Sequence, residues 1–208
     1  MSKLNPDDAY LSYHDVRLTR EDVDTLKNDW LTDNTPDPLT LKDALPDFTK
    51  TTHVFLPVND CRNVEMAEGG SHWSLLLVST ADGVAFHYDS LSPSNKEEAR
   101  IATQKISKLM NKPLKMLDLD SPQQENSSDC GVFVCLQMKH LLLKRLLQAS
   151  GHQKVKMALT DRNIDANGGR KEMLKIIEGF RREGERRRSR STSPFGRHDS
   201  SKSPPRIE

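Results

Sequence analysis

From Val132 to Leu147 apolar side chains fall on nearly every face of a helical projection: Val132, Phe133, Val134, Leu136, Met138, Leu141, Leu142 and Leu143. A helix with no polar face has to lie inside a protein, so the rest of the chain must be built around this one. The segment leading into it, Pro122-Gln-Gln-Glu-Asn-Ser-Ser-Asp-Cys-Gly131, is polar and rich in helix-capping residues. It delivers Cys130 to the first helical turn. Backbone N–H groups there lack internal partners and together carry about half a positive charge, a setting that favours thiolate over thiol. Cys130 is therefore a candidate nucleophile. The competing reading is a small buried hydrophobe, with Asp129 or Ser128 capping the helix without any catalysis. Cys135, one turn further on, reads as packing, and Cys61 as an incidental loop thiol. Three cysteines with no CxxC pair fit a reducing compartment and no disulfide framework.

The elements around that helix follow from pattern. Thr19 and Asp22 have capping-box spacing and open a short helix over 20–27, with Val23 and Leu26 inward. His53-Val-Phe-Leu-Pro-Val58 reads as a strand. Gly69-Gly70 mark a turn, and the continuous apolar run after His72 reads as a strand buried on both faces. Ala81-Asp82-Gly83 is a hairpin turn leading into a strand over 84–89. Ser94 with Glu97 caps a helix to Met110, and 114–119 alternates as a fourth strand. Gly151 is a natural stop for the central helix, and a last helix covers 171–182.

An acyl-transferring thiolate needs a general base, and histidine titrates in the right range. Of the seven histidines, His198 lies in the tail, His152 lies past a helix end, and His140 is about three turns from Cys130. Nothing local recommends His14 or His53. His72 begins a strand, where sites are built. His87 and Asp89, two apart on a strand, share a face. The physics leaves His72–Asp89 and His87–Asp89 open as base and orienter. For the oxyanion, the Cys130 N–H is one donor, and Gln123 or Gln124 offers a second.

Gly70-Ser-His72-Trp73-Ser, His87-Tyr-Asp89-Ser and Pro122-Gln-Gln124 through Asp129-Cys130-Gly131, in that order, resemble the Ulp/sentrin-specific cysteine proteases, which remove ubiquitin-like modifiers. With Leu11-Ser-Tyr, Asp29-Trp30-Leu31, Phe86-His-Tyr-Asp-Ser and Pro93-Ser-Asn, the pattern is most similar to the deneddylase branch, over roughly residues 10–150. The resemblance implies an α+β, papain-like fold with permuted motif order, its central helix packed on a small mixed sheet. It implies Cys130 as nucleophile, His72 as base, Asp89 as orienter and Gln124 as oxyanion donor, which returns His87 to a structural role. It also implies that Trp30 and Trp73 close a tunnel over the modifier's diglycine tail, with Asp33 touching a basic residue of the modifier. The expected partner is a Nedd- or SUMO-type modifier and its conjugates, with no cofactor and no metal.

One stretch departs from the family pattern. After Trp30-Leu31 the chain runs straight into Thr35-Pro-Asp-Pro, and no amphipathic helix fits before Val54. The expectation is that a helix covering one side of the central helix in relatives is missing here. The catalytic motif is expected to be complete, while turnover by this chain is left in question.

Charge and composition bound the rest. Net charge is +1, but from Arg181 to Glu208 nine Lys/Arg face four Asp/Glu, leaving the main body mildly acidic. That suits a basic protein partner and disfavours nucleic acid. Mean hydropathy is −0.70. No run is long and apolar enough for a membrane span, and Met1-Ser-Lys-Leu-Asn-Pro does not begin a signal peptide. The expected organisation is a loose 1–9, a protease domain over 10–183 and a disordered basic Arg/Ser/Pro tail over 184–208, in a monomer of the cytoplasm or nucleus. Three readings compete with deneddylation: a SUMO-type substrate, acyl transfer from an acetyl donor on the same fold, and a non-enzymatic binder of a ubiquitin-like modifier.

Overall fold

The apolar run after His72 becomes the inner strand of a four-stranded sheet in the computed structural model, which describes residues 5–13, 16–28, 47–61, 69–150 and 154–191. The chain divides into two compact units, Asp24–Lys171 and a smaller one made of Met1–Val23 with Glu172–Glu208.

The larger unit holds β3 (His53–Asn59), β4 (Trp73–Ser79), β5 (Val84–Tyr88) and β6 (Lys115–Leu119), in that spatial order. β3/β4 and β4/β5 are antiparallel, whereas β5/β6 is parallel. A parallel neighbour needs a crossover, and helix α2 (Lys96–Met110) supplies it. Side chains alternate along β4. Leu76 and Val78 join Val54, Val58, Ala85, Ala99 and Ile106 in one core. Leu75 and Leu77 join Tyr88, Val134, Leu141 and Leu159 in another, on the face of helix α3 (Cys130–His140). Both faces of β4 are thus closed, as its unbroken apolar run requires. Its four leucine and valine side chains at 75–78 are fully buried, each worth about 1.5–3 kcal/mol. The central helix on a small mixed sheet is the expected α+β architecture. α3 continues as a wider π-helical stretch, Leu141–Leu146.

In the smaller unit, β1 (Ala9–Tyr13) and β2 (Val16–Thr19) form an antiparallel hairpin. α1 (Arg20–Asn28) follows directly, and the Thr19 capping box forms: the Thr19 N–H donates to Asp22 Oδ2 at 2.7 Å and the Asp22 N–H to Thr19 Oγ1 at 3.2 Å. The last helix, α4 (Ala166–Ser191), is longer than the 171–182 expected from its apolar positions. Its distal half is carried by charge instead. Arg181 pairs with Glu178 and Glu185, and Arg187 with Glu183, at three- and four-residue spacings that favour helix. The Tyr10 hydroxyl donates to Glu178 at 2.8 Å, and the Arg181 guanidinium lies over its ring.

The capping box expected at Ser94 does not form. α2 begins at Lys96 with Asn95 at its N-cap position, and the Asn95 side chain makes no capping bond. It is wholly buried and spent elsewhere, as described below. Residues 184–191, expected as the start of the disordered tail, lie in α4 instead. Trp30, Asp33, the segment that departs from the family pattern, Gly151 and the rest of the tail, 192–208, lie outside the described residues.

Candidate active site

Register brings the predicted residues together. Leu75 of β4 pairs with Tyr88 of β5, so the residue just before β4 and the residue just after β5 reach the same end of the sheet. These are His72 and Asp89. β6 runs parallel to β5 and ends there too, which returns the chain through Ser121–Asp129 to Cys130 at the start of α3. All of these residues lie in the larger unit.

His72 Nε2 is 2.6 Å from Asp89 Oδ1, with both side chains buried. Cys130 lies close enough to the same ring to favour its charged form, and with Nε2 taken up by Asp89, Nδ1 is the nitrogen left to face it. Burial works against charge on His72, but the Asp89 carboxylate and Cys130 outweigh it and raise its pKa from 6.5 to about 9. Burial likewise opposes charge on Asp89. Its bond to His72 and the N–H groups of Asn95 and Leu91, both at 2.9 Å, prevail and hold its carboxyl below the usual range.

The alternative histidine, His87, has other partners. His87 lies within β5 and Asp89 outside it, so strand alternation does not carry from one to the other. His87 Nδ1 pairs instead with Asp118 Oδ1 at 2.9 Å, and its Nε2 with Ser74 Oγ at 3.0 Å. The ring is fully buried and structural.

The two candidate glutamines separate as cleanly. Gln123 is exposed and straps the turn after β5: its Nε2 donates to the Asp89 carbonyl and its Oε1 accepts from the Ser92 N–H. Gln124 is buried. Its Oε1 accepts from the Ser90 hydroxyl at 2.7 Å, its Nε2 donates to the Asn126 carbonyl at 2.6 Å, and its own N–H donates to the Ser90 carbonyl at 2.8 Å. A carboxamide nitrogen has two hydrogens, and the bond to Asn126 uses one of them. Trp73 is half-buried and packs against the core on the α3 face. Cys135 is a packed thiol whose pKa burial pushes up.

Four supporting residues had no sequence reading. Asp60 accepts from the Ser71 N–H and hydroxyl and from the His72 N–H, at 2.6, 2.7 and 3.0 Å, which fixes the backbone that carries the base. Gly70 permits this approach: its φ is +88°, and a Cβ there would collide with the side chains of Asn59 and Asp60. Asn95 donates its N–H to Asp89 Oδ2 and its side-chain amide to the carbonyls of Val58 and His72, clamping two strand ends. Its membership of Pro93-Ser94-Asn95 was the one available signal. Arg170 donates to Asp129 Oδ1 through Nε and Nη2, at 3.1 and 2.8 Å, and to the carbonyls of Ser128 and Leu26, both at 3.0 Å. Ser90, already met at Gln124, is the fourth.

Residues 36–167 match the model of the Ulp1 protease family, C-terminal catalytic domain. The chain belongs to this family. It is 36% identical over 143 residues to NEDD8-specific protease 2 of Schizosaccharomyces pombe, covering 68% of this chain and 34% of that protein. The chain thus spans about a third of that relative's length. Against NEDD8-specific protease 1 of Arabidopsis thaliana the identity is 32% over 171 residues, covering 64% of this chain and 75% of the relative. The C-terminal Ulp1 protease domain solved in complex with Smt3, the yeast ortholog of SUMO, superposes with a TM-score of 0.57 at 18% identity, covering 86% of this chain and 90% of that one. At that identity the likeness speaks for a shared fold.

Proposed function

We propose that this member of the Ulp1 family is a thiol protease that hydrolyses the bond after the C-terminal diglycine of a ubiquitin-like modifier, with a NEDD8-type modifier as its substrate. The observation that carries the reading is the buried pairing of His72 with the Asp89 carboxylate at 2.6 Å, at the end of the sheet where the helix beginning at Cys130 starts. The similarity to NEDD8-specific proteases of two organisms supports the choice of modifier.

In this reading the Cys130 sulfur attacks the carbonyl carbon of the modifier's terminal glycine. Negative charge develops on the carbonyl oxygen, opposite the Cys130 N–H, which has no helical partner, and the free N–H of Gln124. His72 as imidazolium gives its proton to the leaving amine, and a thioester to Cys130 remains. Water then attacks the thioester as His72 takes up its proton, and the modifier leaves with a free carboxylate. Asp89 stays ionised throughout, orienting the ring and stabilising its charged form.

The test is turnover of aminocoumarin conjugates of NEDD8, SUMO and ubiquitin by this chain. Release from the NEDD8 conjugate in excess of the other two is expected. Preference for SUMO would overturn the choice of modifier, and binding without release from any conjugate would overturn the protease reading.

The pH profile is a second check. His72 is raised, so its protonated form outlasts the ordinary 6.5 and is lost as the pH passes about 9. Hydrolysis is expected to hold through neutral pH and to fall by about tenfold per unit beyond that point. In Asp89→Asn the limb should move down toward the unperturbed histidine value. An alkaline limb near 6.5 in the unaltered chain would contradict the assignment.

A further inference from the structure

Gln124 is fixed at three points. Its backbone N–H is held by the Ser90 carbonyl, its Oε1 by the Ser90 hydroxyl, and its Nε2 by the Asn126 carbonyl. A carboxamide looks nearly the same after a half-turn, but its two ends do opposite things: one donates and the other accepts. Flipped, Gln124 would point an oxygen lone pair at a developing oxyanion and repel it. What prevents the flip is chemical complementarity at each end. Asn126 presents a carbonyl, which only the Nε2 end can satisfy. Ser90 presents a hydroxyl.

A hydroxyl alone would serve either end, because it can donate or accept. Here its role is set by the neighbours: with Nε2 committed to Asn126, only Oε1 is left to meet it, and Ser90 donates. Ser90 and Gln124 are both buried, so water does not readily replace a lost partner. Ser90 also follows Asp89 directly, and the Asp89 side chain holds His72 at 2.6 Å. One turn therefore sets the orientation of the base and of the amide together.

We infer that Ser90 is a positioning residue for the reaction: its hydroxyl holds the Gln124 carboxamide with an N–H aimed at the oxyanion. The inference rests on the reading of Gln124 as oxyanion donor. Ser90 touches no reacting atom and acts through Gln124 alone. Without its hydroxyl the amide keeps one anchor and turns about it, so the loss appears in the charge-developing step and not in modifier binding.

The test is a double-mutant cycle on the full chain, read as kcat and KM for the NEDD8–aminocoumarin conjugate, with a thermal melt of each variant. Ser90→Ala is expected to lower kcat on the order of tenfold with KM unchanged. Ser90→Thr, which restores a hydroxyl, should recover most of the loss. In a Gln124→Ala background, Ser90→Ala should cost nothing further, since there is no amide left to orient. A purely structural role would lower the melting temperature and reduce kcat equally in both backgrounds. That additive result, or an unchanged kcat in Ser90→Ala where Gln124→Ala lowers it, overturns the inference and leaves the reading of Gln124 standing. An unchanged kcat in Gln124→Ala overturns the reading of Gln124 and the inference with it.

Discussion

Cys130→Ala is expected to reduce hydrolysis of a modifier–aminocoumarin conjugate by about 10⁵-fold or more, while modifier binding and the melting temperature stay close to those of the unaltered chain. The size follows from the unit the residue belongs to. His72 and Asp89 have no other acyl acceptor to serve, so removing the sulfur removes the covalent step and not one increment of it. Stability should hold because alanine replaces a small buried side chain with one slightly smaller. Cys130 is 1% exposed, and the helix N-terminus it occupies is anchored by Asp129 and Arg170, not by the thiol. Retention of more than a few per cent of turnover would refute Cys130 as nucleophile. A collapsed melting temperature would show that the residue's role is in packing.

Arg170→Met is expected to destabilise the fold by about 3–5 kcal/mol, measured by urea unfolding. The Arg170 side chain is 4% exposed and pairs with Asp129, itself only 14% exposed. Without the guanidinium that carboxylate is left unpaired, and the carbonyls of Ser128 and Leu26 lose their donors. Methionine fills much of the volume and answers none of the charge. Arg170→Lys should rescue little, because an ammonium cannot donate through a planar fork to several acceptors at once. Asp129→Asn combined with Arg170→Met should recover part of the loss, since no buried charge then remains. Unfolding within about 1 kcal/mol of the unaltered chain would mean that the pair contributes nothing net, as many ion pairs do.

What could be read from the sequence divides along physical lines. Strands and helices declared by local pattern were legible: the two-faced burial of β4, the hairpin at Gly83, the capping box at Thr19 and the buried start of α3. Leu142, Leu143 and Leu147, by contrast, read as part of a helix buried all round, are exposed. Cys130 was visible as a cysteine at a helix start. Spacing did not rank His72 above His87, because which ring meets Asp89 depends on partners brought by other strands: Asp118 and Ser74 take up the His87 ring, and Asp89 pairs with His72. The family resemblance supplied the ranking that pattern lacked. Arg170 gave no signal at all. Its partner Asp129 is 41 positions away, and it stands three residues beyond the stretch matched to the family. Ser94 misled for a related reason: the capping pattern was present, but Asn95 was drawn into the strand ends, where its buried amide serves two backbone carbonyls.

The bonds that shape the site are also bonds that hold the larger unit together. From His72 they run through Asp89 to Asn95 and the end of β3, and from Ser90 through Gln124 and Asn126 to Asp129 and Arg170. Local opening draws on regions with few buried contacts, and this is not one of them. The buried amide hydrogens of Asn95 and Gln124 are therefore expected to exchange with solvent more slowly than that of the exposed Leu91. Under heat or denaturant the site is expected to come apart with the fold that carries it, so hydrolysis and folded structure should be lost on a single curve.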